Sequence, residues 1–272
     1  MQSTSDAVKN ALVGAVIHET WENVYRNSRS ERLYDPVFDW IAQCGGVPAG
    51  SRWLDIGCGI GRHAIRLRRR KYNVVAADFS PDRVQAAREY IRQVGMGDEI
   101  ILQCEDLVAG LSFPAATFDA VLCWGVLMHI PLVETAMMEL IRVTKPKGKL
   151  FICEGNIHGV DATISCLASW ARRAVGKSRY KQIVKGPYGR EYWVRTEAGD
   201  LVIRHTRMSS MASFFEQHGC RLNACICGEF TEWYSRGGAL GRLLHAWNEI
   251  WFRRVRSPYL AHGNLLVLEK LD

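Results

Sequence analysis

The chain has 272 residues, 48% of them apolar and 23% charged, a balance that excludes a disordered or collagen-like protein. No run of eighteen apolar residues occurs, so no membrane-spanning helix is expected, and the N-terminus lacks the basic start and apolar core of a signal peptide. The net charge of +7 suits an anionic ligand or nucleic acid and proves neither.

The first fifty residues read as helical. Trp21 and Tyr25 are four apart on one helix face. Asp35-Pro36 reads as a cap followed by proline at the first helical position, with Val37, Trp40, Ile41 and Cys44 as the apolar stripe and Gly45-Gly46 as the stop. Short apolar strands then alternate with helices. Strands are expected at Trp53–Ile56, Asn73–Ala77, Ile100–Cys104, Phe118–Trp124 and Lys149–Cys153, and helices start near Gly61, Ser80 and Pro131. Such alternation means a parallel sheet covered on both faces. The rhythm breaks over 156–208, which holds a helix around Ala162–Val175, a basic segment, and a hairpin of Glu191–Thr196 with Leu201–His205. A helix through Met211, Phe214, Phe215 and His218 follows, stopped by Gly219, and then a strand at Leu222–Cys227. Leu240, Leu243, Leu244, Trp247, Ile250 and Trp251 make a strongly amphipathic helix, and Leu265–Glu269 is a last strand. Nine cysteines, odd in number and without a Cys-x-x-Cys pair, read as reduced thiols of a cytoplasmic protein. No metal site is expected, because Cys225 and Cys227 lack a second ligand pair.

The most informative segment runs Leu54-Asp55-Ile56-Gly57-Cys58-Gly59-Ile60-Gly61. A strand enters a glycine loop that opens a helix, where positive φ and close backbone approach to a ligand are permitted. A dinucleotide loop has Gly-x-Gly-x-x-Gly spacing to admit a pyrophosphate; this loop does not, and Asp55 at the strand end would repel phosphate but can orient an amine. Asp78 ends the second strand, where an acid accepts ribose hydroxyl protons. Glu105-Asp106-Leu107 follows the third strand, where an acid takes an adenine amine. The ligand implied is an adenosine with a zwitterionic tail.

These blocks, together with Phe118–Trp124 and the turn Arg142–Leu150, resemble the class I S-adenosylmethionine-dependent methyltransferases over roughly residues 50–155. The resemblance implies a doubly wound, Rossmann-like α/β fold with a seven-stranded sheet whose last strand is antiparallel. An N-terminal helical cap and an insertion after the fifth strand complete the expectation. One domain over 1–272 is expected, divided into the cap (1–48), cofactor core (49–155), insertion or lid (156–208) and C-terminal part of the core (209–272). The cofactor implied is S-adenosyl-L-methionine, contacted by Asp55, Gly57, Cys58, Gly59, Gly61, Asp78, Phe79, Asp106, Leu107 and Trp124. The adenine acid is either Glu105 or Asp106, with Asp106 favoured.

His129 sits where the family lines its methyl-transfer cleft, as a base or as a structural histidine, and Glu154 at the end of the fifth strand faces the same mouth. His158, Tyr192 and His205 are further candidates that the sequence does not rank. The charge run Arg66, Arg68, Arg69, Arg70 and Lys71 at a helix C-terminus reads as a solvated face. Residues 171–195 carry eight cations (Arg172, Arg173, Lys177, Arg179, Lys181, Lys185, Arg190, Arg195) against one acid, with tyrosines and Trp193 interleaved. The expected function is methyl transfer to an O or N atom of a small molecule. The alternative is RNA, most plausibly tRNA, methylation through the basic insertion, and a third is a non-catalytic subunit binding through the helix at 239–252. Nucleic acid is not favoured, no membrane partner is expected, and the oligomeric state is open.

Overall fold

The computed structural model describes residues 4–13, 28–177, 180–233 and 238–272. Helix α1 spans Thr4–Val13 and α2 Ser28–Cys44. The core alternates β1 (Arg52–Ile56), α3 (Arg62–Arg69), β2 (Asn73–Asp78), α4 (Pro81–Gln93), β3 (Ile100–Cys104), β4 (Phe118–Trp124), α5 (Val133–Val143) and β5 (Thr144–Gly155). Then come α6 (Val160–Ala174), β6 (Gln182–Gly186), β7 (Gly189–Arg195), β8 (Asp200–Thr206) and α7 (Met208–Gln217). The chain closes with β9 (Cys220–Glu229), α8 (Gly238–Ile250), a π-helical turn at Trp251–Val255, and β10 (Gly263–Lys270).

Seven strands form one sheet in the order β3-β2-β1-β4-β5-β10-β9. β1 to β5 are mutually parallel and β10 runs antiparallel to both neighbours. Strand alternation sends side chains to two cores. Leu54, Ile56 and Val121 join α5 and α7 on one face, while Trp53, Ala120 and Leu122 join α2, α3 and α4 on the other. Ser80 caps α4, accepting the Arg83 amide, and Pro81 opens it. Reversal of strand order between β1 and β4 places a crevice at their carboxyl ends, where open α/β sheets bind ligands.

Several expectations change. Pro36 does not begin a helix but lies inside α2. Leu33 and Tyr34, upstream of it, are buried beside Val37 and Phe38, so packing holds a turn that local rules would have ended. The pair Trp21 and Tyr25 lies outside the described residues. Arg66 is not a solvated cation: it is 3% exposed, ion-paired with Asp35 and stacked over the Tyr34 ring. The basic segment forms an unforeseen third strand, β6, so β6-β7-β8 is a separate antiparallel sheet rather than a hairpin. Helix α1 lies on that sheet through Val8, which packs with Trp193 and Val202. All nine cysteines are free thiols.

Candidate active site

The glycine loop folds as the spacing dictates. Gly57, Gly59 and Gly61 all have positive φ. A Cβ on Gly57 would meet Val126 Cγ2 at 2.3 Å, and one on Gly61 would meet Ile91 Cδ1 at 2.7 Å. Gly59 differs, because a Cβ there meets nothing within 4 Å. Gly57 and Gly61 are therefore packing glycines, and Gly59 is the one that faces open space. The Cys58 thiol is half-buried and donates to the Gly59 carbonyl.

Asp55 is buried at the end of β1, accepts the Ala64 amide, and leaves Oδ2 with no partner among the described residues. Burial pushes its carboxyl up to about 7, the nearby Asp78 adds to the rise, and Arg66 opposes it. Asp78 ends β2 with each oxygen holding one backbone amide, Gly59 at 2.9 Å and Ser80 at 3.0 Å. Each oxygen keeps a lone pair for a further donor. Phe79 next to it is half-buried.

Asp106 is more constrained than expected. Oδ1 caps the following loop at the Val108 and Ala109 amides, and Oδ2 is ion-paired with Lys9 of α1. Burial would raise this carboxyl, but the Lys9 ammonium and the loop amides outweigh it and hold it low. Glu105 bonds the backbone and hydroxyl of Ser112, and the Leu107 side chain packs into the core. Trp124 closes β4 within an aromatic group of Tyr34, Phe38 and His63.

Glu154 is 2% exposed, and its carboxylate accepts three consecutive amides, Val126, Leu127 and Met128. Burial pushes it up to about 7, with Arg204 and these amides opposing. Arg204, fully buried on β8, donates to the Leu127 and Ile130 carbonyls and pairs with Glu191. The 3-10 turn Leu127–His129 is thus gripped by an acid on its N–H side and a guanidinium on its C=O side. Glu154 therefore positions this turn from the cavity wall. His129, carried by the turn, bonds the Val202 carbonyl through Nδ1 at 2.8 Å. A carbonyl only accepts, so Nδ1 carries the proton and Nε2 the lone pair.

A cavity of about 460 Å³ lies beside Gly59 and His129, and Asp55, Asp78 and Asp106 do not line it. Its lining brings Gly59, Ile60, His63 and Trp124 together with Met128, His129 and Glu154 and with Tyr180, Tyr192, His205, Glu232 and His262. His262 stands between Asp161 at 3.5 Å and Glu232 at 3.6 Å. Burial would lower its ring, but Glu232, Glu229 and Asp161 raise it above the ordinary imidazole value. His205 lies against the Tyr192 ring with the planes tilted by 51°, and burial with His262 nearby pushes it down to about 4, so it is neutral near pH 7. His158 is exposed and does not line the cavity. Arg204, Glu232 and His262 carried no motif in the sequence, since each acts only across elements far apart in the chain.

The open face of Gly59 and the orphaned buried oxygen of Asp55 fit a ligand with a backbone-hugging tail and a cationic amine, as S-adenosylmethionine has. A methyltransferase-domain family matches residues 54–152. Over that segment the chain is similar to class I S-adenosylmethionine-dependent methyltransferase domains. A ubiquinone biosynthesis O-methyltransferase of Xanthomonas axonopodis pv. citri is 32% identical over 152 residues, 54% of this chain and 62% of that one. An S-adenosyl-L-methionine-dependent Diels-Alderase of Talaromyces variabilis is 28% identical over 136 residues, 50% and 45% of the two chains. The chain thus spans roughly half to two thirds of these relatives' lengths. In fold it is similar to a Burkholderia thailandensis 1,6-didemethyltoxoflavin-N1-methyltransferase, solved with its substrate and S-adenosylhomocysteine, with TM-score 0.61, 14% identity, and 100% and 92% of the chains covered.

Proposed function

We propose that the protein transfers a methyl group from S-adenosylmethionine to an O or N atom of a small-molecule acceptor. The observation that carries this reading is one cavity lined both by Gly59 of the glycine loop and by Tyr192, His205 and His262. The names of relatives acting on small molecules support it. When bound, S-adenosylmethionine supplies a methyl group already carried by a good leaving group. The chain's own work is then positioning and exclusion of water. Gly59 admits the ligand's tail, Asp55 orients its amine, and Asp78 accepts from its ribose. Asp106 reaches the adenine only when Lys9 gives way. Trp124 and its aromatic neighbours wall the reacting end.

His129 has the tautomer a base needs, held by the Val202 carbonyl and by the grip of Glu154 and Arg204 on its turn. It removes a proton from a hydroxyl acceptor at Nε2; a neutral amine acceptor needs no such help. The RNA reading loses support because Lys181 is paired with Asp200 and Arg190 turns inward to Cys166 and the Tyr192 hydroxyl.

The test has two parts. Calorimetry should show binding of S-adenosylmethionine and S-adenosylhomocysteine, and labelled-methyl transfer should be sought over a panel of phenols, alcohols and amines. Tight binding with no transfer to any of them, together with cyclisation of a diene substrate, would replace methyl transfer with the cyclase chemistry named for one relative. His129→Gln should lower turnover on a hydroxyl acceptor by roughly a hundredfold while cofactor affinity stays unchanged. A loss below tenfold makes His129 structural.

A further inference from the structure

Two helices of this protein are built inside out. On α8, the buried side chains include the polar His245 and Asn248, while Leu240, Leu243, Trp247 and Ile250 are exposed, Leu243 to 67%. On α6 the buried residues are Asp161, Ala162 and Ser169, while Ile164, Leu167 and Trp170 are exposed, Trp170 to 74%. Isolated exposed apolar residues need no explanation, but two helices with reversed amphipathicity do.

The reversal has a structural cause. Asn248 holds the Phe230 and Thr231 amides and the Thr231 carbonyl, and the Thr231 hydroxyl bonds Asp161 at the start of α6. The Val160 amide bonds the Leu260 carbonyl, beside the exposed Tyr259. Both helices are thus anchored by polar contacts to one hub around Thr231, leaving their apolar faces outward. Ser165 of α6 and Glu232 beside the hub line the cavity, so this apolar surface adjoins it.

The charges around it are of one sign. Arg172, Arg173 and Lys177 at the end of α6, and Arg242, Arg253 and Arg254 on α8 and the π-turn, are exposed and form no ion pair among the described residues. The acids on these segments are Asp161, which is buried, and Glu249, which pairs with His245. A second copy docking by two-fold symmetry would bring the same patch against itself and oppose like cations. Leu, Ile and Trp rimmed by Arg and Lys, without compensating acids, match an interfacial surface for anionic lipid.

We infer that the exposed faces of α6 and α8 dock the protein on an anionic lipid bilayer, with the Ser165 and Glu232 lining of the cavity beside the bilayer surface. This revises the expectation of no membrane partner. No helix of the described residues is long and apolar enough to cross a membrane, so the contact is peripheral. The inference is independent of the reaction catalysed.

The experiment is flotation of the full chain with vesicles of phosphatidylcholine mixed with phosphatidylglycerol, against pure phosphatidylcholine, at low and high salt. Binding to the anionic vesicles should exceed binding to neutral ones by more than about tenfold and weaken with salt. The double variants Leu167→Ser/Trp170→Ser and Leu243→Ser/Trp247→Ser, and the triple variant Arg172→Ala/Arg173→Ala/Lys177→Ala, should each lose most of it. All these positions are exposed, and an unchanged circular dichroism spectrum and melting temperature confirm folding. Absence of vesicle binding overturns the inference. So does binding that the substitutions leave unchanged, or a dimer in sedimentation that the apolar substitutions disperse.

Discussion

Asp55→Asn separates the stability of the empty protein from its ability to bind. Burial holds the Asp55 carboxyl at about 7 against an ordinary 3.8. A carboxyl raised in the folded state stabilises most below 3.8, where it is protonated in both states, and that contribution is lost as pH rises through about 7. The gap corresponds to about 4 kcal/mol of penalty above that pH. Asparagine keeps an oxygen for the Ala64 amide and puts an uncharged group where Oδ2 has no partner, so it escapes the penalty. Without cofactor, urea unfolding at about pH 8 should show the variant more stable by roughly 2–4 kcal/mol, and at about pH 5 the gain should shrink by about 2–3 kcal/mol. Calorimetry on the same variant should show S-adenosylmethionine binding at least about tenfold weaker, because the amine loses its anion. A gain equal at both pH values, or a loss at pH 8, would refute the reasoning by showing that the native carboxylate is already compensated.

Three further outcomes follow from the geometry. Gly57→Ala should lower stability by at least about 2 kcal/mol, since its Cβ would lie 2.3 Å from Val126, whereas Gly59→Ala should cost only about 1–2 kcal/mol for its positive φ yet abolish measurable cofactor binding; thermal melts and calorimetry distinguish the two. Arg204→Met should destabilise by about 3–5 kcal/mol in denaturant titration, because Glu191 loses its partner and two carbonyls lose their donor. Lys9→Ala should barely change the melting temperature, the pair being partly exposed, but should tighten adenosine-containing ligands by up to about fivefold as Asp106 no longer has to be released; unchanged or weaker affinity would show that Lys9 does not compete.

The glycine loop and the strand ends around it were legible because their signals are local. A glycine spacing, an acid at each of three strand ends and a Ser-Pro helix start all lie within a few residues of the backbone feature they control. The same local rules misplaced Pro36 and Arg66, where burial of Leu33, Tyr34 and Phe38 overrides propensity and solvation. What the sequence by itself determined was the strand–helix alternation and the place of the glycine loop, while the antiparallel last strand was implied by the family resemblance. Only the tertiary structure decided what the acids and histidines do. Asp106 meets Lys9 across 97 positions, His129 meets the Val202 carbonyl across 73, and Arg204 reaches the Leu127 carbonyl across 77. The direction of α8 was likewise undecided: its periodicity marks an apolar face but not which way that face points, and the bonds of Asn248 to Phe230 and Thr231 turn it outward. Periodicity and spacing report the backbone, which is local, whereas protonation, orientation and exposure depend on neighbours that only folding brings together.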